Sequence, residues 1–534
     1  MKKNLFLIIF IIGQSYLAFS QRVSTDYGAI DILNYEFHIR VNDSSNVVQA
    51  EAKIDILFNN TSNSFSLDLE NKDDSNKGMI IDAISENGNP VTFDHIDNKI
   101  TIRTAISSSR TQKTFSIKYH GIPKDGLVIS KNKYGDRTFF GDNWPNRAHQ
   151  WLPTVDHPSD KAFVEWHVTA PSHYQVISNG TQIEETDLNN KNTLYIWKTN
   201  VPIPTKVMVI GIARFAVQQI GETHNIPISS WVYPQNKLDG FYDYAQAKSI
   251  INYFIDHIGP YPYTKLANVQ SKTRFGGMEN ASNIFYFENS VSGERKVENL
   301  IAHEIAHQWF GNSATESDWT HVWLSEGFAT YFTNLYVQNT KGEDAFKALV
   351  NKQREQVINF SKKQFTPVLD TNTENLMRLL NANSYQKGGW VLHMLRRKVG
   401  DIIFWKSIKD YYKTYALKNA STNDLKNIFE KASGLQLNMF FSQWLEKPGQ
   451  PRLKSSWTIK NKKIEYTVEQ TQKGNTIFEF PLDLKIIYTD GSSEITTIAI
   501  KDKTTQIIVT AKTDVQEIVL DPNSWLLFEH QKSN

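Results

Sequence analysis

Residues 303–311 read HEIAHQWFG. Two histidines four positions apart lie one turn apart on a helix, so His303 and His307 project from one face toward a common point, which is a zinc-site spacing. Glu304 sits slightly around the helix from that face. It is near enough to act on a water at a metal and offset enough not to bind the metal itself. A catalytic zinc site takes three protein ligands and leaves one position open. The extended pattern H-E-x-x-H-x-x-G-x-x-H would place glycine at 310 and histidine at 313, but the chain has Phe310 and Ser313, so the third ligand lies elsewhere.

The nearby candidates are Glu316, Asp318, His321 and Glu326. The first three fall in an expected loop, 312–321, where nothing in the sequence fixes them. Glu326 lies in WLSEGFATYF (323–332), an expected helix with a bulky side of Phe328, Phe332 and Leu335. On its other side Glu326 shares a face with Ala329, Thr330 and Thr333. Small residues around an acidic one let this helix approach the histidine helix closely while the carboxylate reaches the ion, and Glu326 is therefore read as the third ligand.

The rest of the chain limits the chemistry. With 534 residues it exceeds one ordinary hydrophobic core and predicts several domains. Lys+Arg number 58 against 56 Asp+Glu, a balance that gives no electrostatic case for nucleic acid or an anionic membrane. There is no cysteine, so neither thiolate ligands nor disulfides contribute. Lys2 and Lys3, the apolar run from Leu5 to Ile12 and the ending Ala18-Phe19-Ser20 predict a secretory signal over 1–20, cleaved near Gln21. The apolar run is shorter than the roughly 18 residues that cross a bilayer, and no later segment is long and apolar enough, so the mature protein is expected to have no membrane span. The expected location is periplasmic or extracellular, and nothing in the sequence fixes an oligomeric state.

Alternation of period two runs from about 30 to 215, with Leu33, Tyr35, Phe37, Ile39 and Val41 as one example, and predicts an N-terminal antiparallel β domain over 21–215. From about 238 to 446 the spacing is helical. Helices are expected from near Leu238 to Gly259-Pro260 and over 294–310, 323–338, 343–358, 384–399, 401–415 and 421–432, within a domain spanning 216–448. Alternation returns after Pro451. A hairpin at Asp490-Gly491 joins Leu482–Tyr488 to Ile495–Ile500, predicting a small β-sandwich over 449–534.

H-E-x-x-H followed, 19 residues after its second histidine, by the Glu of WLSEGFA closely resembles the aminopeptidase N and leukotriene-hydrolase family of zinc metallopeptidases. GGMEN (276–280) upstream and YQKGGWVLHML (385–395) downstream agree, as do WLPTVDHPSDKA (151–162) and QWLEKPGQPRL (443–453). The resemblance implies a multidomain α+β protein with a thermolysin-like, mostly helical catalytic domain. It also implies one Zn²⁺ per chain, held by His303, His307 and Glu326, with Glu304 as general base and Tyr385 stabilising the oxyanion. Peptides with a free N-terminus are the implied substrates. Glu279 would anchor the cationic α-amine. Gly276, Gly277 and Asn280 belong to the same substrate-binding run, whose two glycines would let an extended peptide pass along their backbone, and Met278 would line the pocket for the first side chain.

Two departures stand out. Relatives often place a second amine-binding side chain, commonly glutamine, in the β domain, where this chain reads FFGDNWPNRAHQ (139–150); Asp142 or Asn143 is a candidate replacement. Large relatives also carry a helical C-terminal domain over the cleft, and its absence here predicts a more open cleft or one completed by another subunit. The rival readings are a thermolysin-type zinc endopeptidase, which has no use for an amine anchor at Glu279, and a non-catalytic binding protein, which has no need of His303, Glu304, His307, Glu326 and Tyr385 together.

Overall fold

In the computed structural model, residues 28–531 are described. The expected export signal over 1–20 lies outside them.

The alternating stretches form strands because β-branched and aromatic side chains at every second position bury one face. A bulge between Ile32 and Asn34 shifts the phase of strand Ile30–Arg40, so that Tyr35, Phe37 and Ile39 enter the core. This strand sits inside a nine-stranded sheet, between Val48–Phe58 and Lys161–Pro171. The sheet is antiparallel throughout except at one place. Ile30–Arg40 and Lys161–Pro171 run parallel, with Glu36 opposite Glu165 and His38 opposite His167. The chain from 41 to 160 separates these two strands in sequence, so no local turn signal reveals their pairing. A four-stranded sheet beside it includes Arg137–Gly141, which leads directly into Trp144.

The region after 215 is less purely helical than its spacing implies. Ala216–Thr223, Ile226–Val232, Leu266–Gln270, Asn283–Tyr286 and Gly277–Met278 form a five-stranded sheet in that order, so Gly277–Met278 is an edge strand. Leu266–Gln270 is buried at every position, and a short, fully buried run shows no period that would separate strand from helix. The single helix expected from Leu238 is two, α1 (Lys237–Tyr244) and α2 (Ala247–His257).

The longer helices that follow are α3 (Glu298–His307), α4 (Trp323–Lys341), α5 (Glu343–Lys363), α6 (Gly388–Val399), α7 (Asp401–Tyr415) and α8 (Thr422–Ser433). Every residue of α4 from Trp323 to Val337 is buried, which makes it the central core helix. A π-helical turn, Asn383–Lys387, enters α6. α8 starts at a capping box of Ser421 and Asp424 and stops at left-handed Gly434.

The C-terminal strands form two sheets, as expected of a sandwich. One contains Arg452–Lys460 and Lys463–Gln470, and the other contains the antiparallel pair Phe480–Tyr488 and Ser493–Ile500, turned at Gly491. Among the described residues no helix is long and apolar enough to cross a membrane.

Polar contacts tie the N-terminal strands to the α3–α4 connection. Lys206 donates to Glu316 in a fully buried ion pair. Lys161 Nζ donates to the carbonyls of Asn312, Ser313 and Lys418. A buried charge is stable only when paired and hydrogen-bonded in this way.

Candidate metal centre and substrate cavity

α3 and α4 cross so that His303, His307 and Glu326 meet. The histidine Nε2 atoms lie 3.1 Å apart, and a Glu326 oxygen is 3.5 Å from His303 and 3.3 Å from His307. One donor atom from each residue falls within 4.8 Å of the others. The His307 ring is fixed from behind, because its Nδ1 lies 3.2 Å from the Phe310 carbonyl and 3.1 Å from Ser325 Oγ. Donation from Nδ1 leaves Nε2 as the lone-pair donor, which is how ligating histidines are oriented. Glu326 Oε2 is buried and accepts no hydrogen bond from the protein. Two imidazoles and one carboxylate, whose buried oxygen faces both rings, are the donor set a zinc ion takes, and the cluster fits one.

The surrounding charges favour a cation here. Burial works against a charged His307, yet Glu326, Glu279 and Glu304 push its pKa up to about 9. Burial likewise opposes charge on Glu326, but the two imidazoles hold its pKa well below the usual carboxylate range. For Glu304 burial prevails, assisted by Glu279 and Glu326 against His307, and its pKa lies well above the ordinary value.

Gly277 explains how Glu304 is seated. A Cβ at Gly277 would come within 2.2 Å of Glu304 Oε1, whereas one at Gly276 would find Leu300 at 3.7 Å and nothing closer. Only Gly277 is therefore required by packing, and it holds the edge strand against the Glu304 carboxyl. The main chain of this run is pinned to the end of α3: Gln308 Nε2 and Asn312 Nδ2 donate to the Glu279 carbonyl at 2.8 and 2.6 Å.

Tyr385 stacks on His303, with ring centroids 5.9 Å apart and planes inclined by 12°. Burial, then Glu326, Glu279 and Glu304, hold its phenol well above its usual pKa, so it remains a hydrogen-bond donor at neutral pH. Its position follows from a glycine contact. A Cβ at Gly327 on α4 would lie 2.9 Å from the Gly388 backbone at the start of α6, so the two helices touch backbone to backbone. Thr330 meets Gly389 at the same crossing. Gly327 and Thr330 thus bring α4 onto α6 and Tyr385, and Ser325 packs against Gly311 just beyond the end of α3.

A cavity of about 220 Å³ joins these groups. Glu304, the three ligand candidates, Tyr385, Gly276, Gly277, Met278 and Glu279 all line it, with Trp144, Phe275, Leu300 and Leu380 completing the wall. Glu279 is 5% exposed and its Oε1 is buried without a hydrogen bond, a buried acceptor awaiting a donor. Asn280 departs from its expected role. It is fully buried and is not part of the cavity wall.

Neither candidate for the second amine contact reaches the cavity. Asp142 accepts from Arg147 at 2.6 Å, and Asn143 bridges the carbonyls of Thr205 and Met208 to the Trp151 indole. Trp144, the next residue, lines the cavity instead. The rejected ligand candidates are also engaged elsewhere: Glu316 with Lys206, Asp318 with the Thr320 amide, and His321 with Thr422. Sequence reasoning missed Trp144, Phe275, Leu300 and Leu380; the signal each carried was its place inside FFGDNWPNRAHQ, next to GGMEN, one turn before His303 and five residues before Tyr385, respectively.

Known proteins share this architecture. Residues 242–444 match the Peptidase family M1 domain and residues 32–207 the Peptidase M1 N-terminal domain. The chain is 28% identical over 433 residues to "Probable aminopeptidase 2" of Sulfurisphaera tokodaii, covering 77% of this chain and 54% of that protein. Human "Glutamyl aminopeptidase" is 28% identical over 330 residues, covering 58% of this chain and 34% of that protein. The chain thus spans about half the length, or less, of the curated relatives it matches. The crystal structure of an M1 zinc metallopeptidase from Deinococcus radiodurans superposes with a TM-score of 0.68 at 22% identity, covering 79% of this chain and 95% of that one, and so shares the fold. With catalytic-type and N-terminal regions both matched, in order and over most of its length, the chain belongs to peptidase family M1.

Proposed function

We propose that the protein is a zinc-dependent aminopeptidase, which removes N-terminal residues from peptides. The observation that carries this reading is Glu279: a buried carboxylate with an unpartnered oxygen shares one cavity with the His303, His307 and Glu326 cluster. Such a group suits the cationic α-amine of a peptide, and its place beside the cluster sets the cut after the first residue.

His303, His307 and Glu326 would hold one Zn²⁺, which when bound supplies Lewis-acid activation of water and of the scissile carbonyl. Glu304 takes the proton from the attacking water and delivers it to the leaving amine. Tyr385 donates its phenolic hydrogen to the oxygen that gains charge as the carbonyl becomes tetrahedral. Gly277–Met278 offers an edge strand along which an extended peptide can pair. Glu279 accepts from the α-ammonium and so excludes peptides with a blocked end. In the same reading, residues 1–20 are an export signal, and the mature protein works in the periplasm or outside the cell.

The test is a panel of aminoacyl p-nitroanilides, each with and without an N-acetyl group. Free-amine substrates should be cleaved and acetylated ones spared. Glu279→Ala should raise KM for free amines by about 10–100-fold, the worth of a charge-assisted hydrogen bond. Equal cleavage of blocked and free substrates by the unaltered protein would instead favour the endopeptidase reading.

A further inference from the structure

A second constellation of histidines and glutamates lies far from the cavity, on the solvent-exposed face of the nine-stranded sheet. The sequence repeats a short pattern there, Glu36-Phe37-His38 and Glu165-Trp166-His167. Each sits on a strand, so glutamate and histidine share one face while Phe37 and Trp166 turn into the core and meet there at 5.0 Å. The two strands are the parallel pair, in register Glu36 to Glu165 and His38 to His167. Parallel pairing in this register puts like beside like. The two imidazoles stack with centroids 4.2 Å apart, and the two carboxylates stand side by side. Like charges placed directly opposite each other destabilise a sheet unless positive charge stands between or beside them.

We infer that Glu36, His38 and His167, with Glu165 beside them, form a second metal site, for Zn²⁺ or a comparable transition-metal ion, on the outer face of the N-terminal sheet. The donor atoms of Glu36, His38 and His167 lie within 4.8 Å of one another. Glu36 Oε1 is 2.6 Å from His38 Nε2 and 4.0 Å from His167 Nε2, and Glu165 Oε1 is 2.8 Å from His167 Nε2. Zinc holds nitrogen and oxygen donors at about 2.0–2.2 Å, which puts tetrahedral donors roughly 3.3 Å apart. A small side-chain rotation closes the difference, and all four side chains are partly exposed and free to make it. Two imidazoles select a transition ion over calcium or magnesium, which take oxygen.

The positive charge now beside the pair comes from lysines at its flanks. Lys53 Nζ is 2.7 Å from Glu36 Oε1 and Lys198 Nζ is 2.7 Å from Glu165 Oε2. Both lysine side chains are about half exposed, at 45% and 53%. They can swing into solvent when a divalent ion takes their place, at little cost for surface ion pairs. A bound ion would clip together two strands whose contact is separated by more than a hundred residues of chain.

The experiment is calorimetric titration of the metal-free, full-length protein with zinc chloride. Two binding events are expected, a tight one from His303, His307 and Glu326 and a weaker one from this surface site. His38→Gln/His167→Gln should abolish the weaker event and leave the tight one intact. Each single substitution should weaken it at least tenfold, which keeps the test valid if the double variant folds poorly. Lys53→Gln should tighten it severalfold by removing the competitor. A titration of the unaltered protein with no second event, or a second event that persists in the histidine variants, would overturn the assignment.

Discussion

Among the described residues, two clusters of two histidines and a glutamate are built in opposite ways. His303, His307 and Glu326 come from two helices and lie almost wholly inside the protein; Glu36, His38 and His167 come from two strands and face solvent. Inside, His307 is oriented by Phe310 and Ser325, and among the described residues no lysine pairs with Glu326. Outside, each carboxylate has its own lysine, and the rings are held only by each other and by their glutamates. The difference teaches what separates a reactive centre from a binding site: burial strengthens every charge interaction, and fixed outer partners leave the donors nowhere else to go. The inner cluster also opens onto a cavity with a base, a phenol and an amine acceptor. The outer cluster borders a shallower hollow of the sheet face, lined by Glu51, Asp82, Tyr119 and His120.

Substitutions can break that contrast. Glu304→Gln should lower kcat by about 10²–10⁴-fold, the usual worth of general acid–base catalysis, while zinc content by mass spectrometry stays unchanged. Tyr385→Phe should cost about 10²–10³-fold in kcat with little change in KM, as for one oxyanion donor, read from steady-state kinetics. Gly277→Ala should displace the Glu304 carboxyl and reduce kcat by on the order of 10²-fold, whereas Gly276→Ala should be close to neutral, because only the first has Glu304 within 2.2 Å of the added Cβ. His38→Gln/His167→Gln should leave kcat/KM as it was, since the outer cluster touches no part of the cavity. If that variant lost activity, the separation of the two clusters would be wrong.

Much of the inner site was legible because helical spacing maps directly onto geometry. His303, Glu304 and His307 lie on one surface of α3 by their positions alone, and the bulky side of WLSEGFATYF forced Glu326 to the other side of its helix. The reason given for that helix's close approach was incomplete, since the backbone contact between Gly327 and Gly388 joins residues that no periodicity connects. Trp144 was missed for the same cause: FFGDNWPNRAHQ was the right stretch, but which of three adjacent residues faces the cavity depends on the bond Asp142 accepts from Arg147 and those Asn143 donates to the Thr205 and Met208 carbonyls. Three strands of the five-stranded sheet were hidden inside the helical stretch: Leu266–Gln270 and Asn283–Tyr286 are buried at every position, and Gly277–Met278 has only two residues. The outer cluster was visible as E-x-H written twice. It gained meaning only from the parallel register, which depends on everything between residues 41 and 160.

The most direct measurement follows aminopeptidase activity as zinc is returned to the metal-free protein. Activity should rise in proportion to the first equivalent and be complete when His303, His307 and Glu326 are filled, with no further gain as the second equivalent binds. Full activity without zinc, or activity that appears only with the second equivalent, would contradict the assignment of catalysis to the buried cluster.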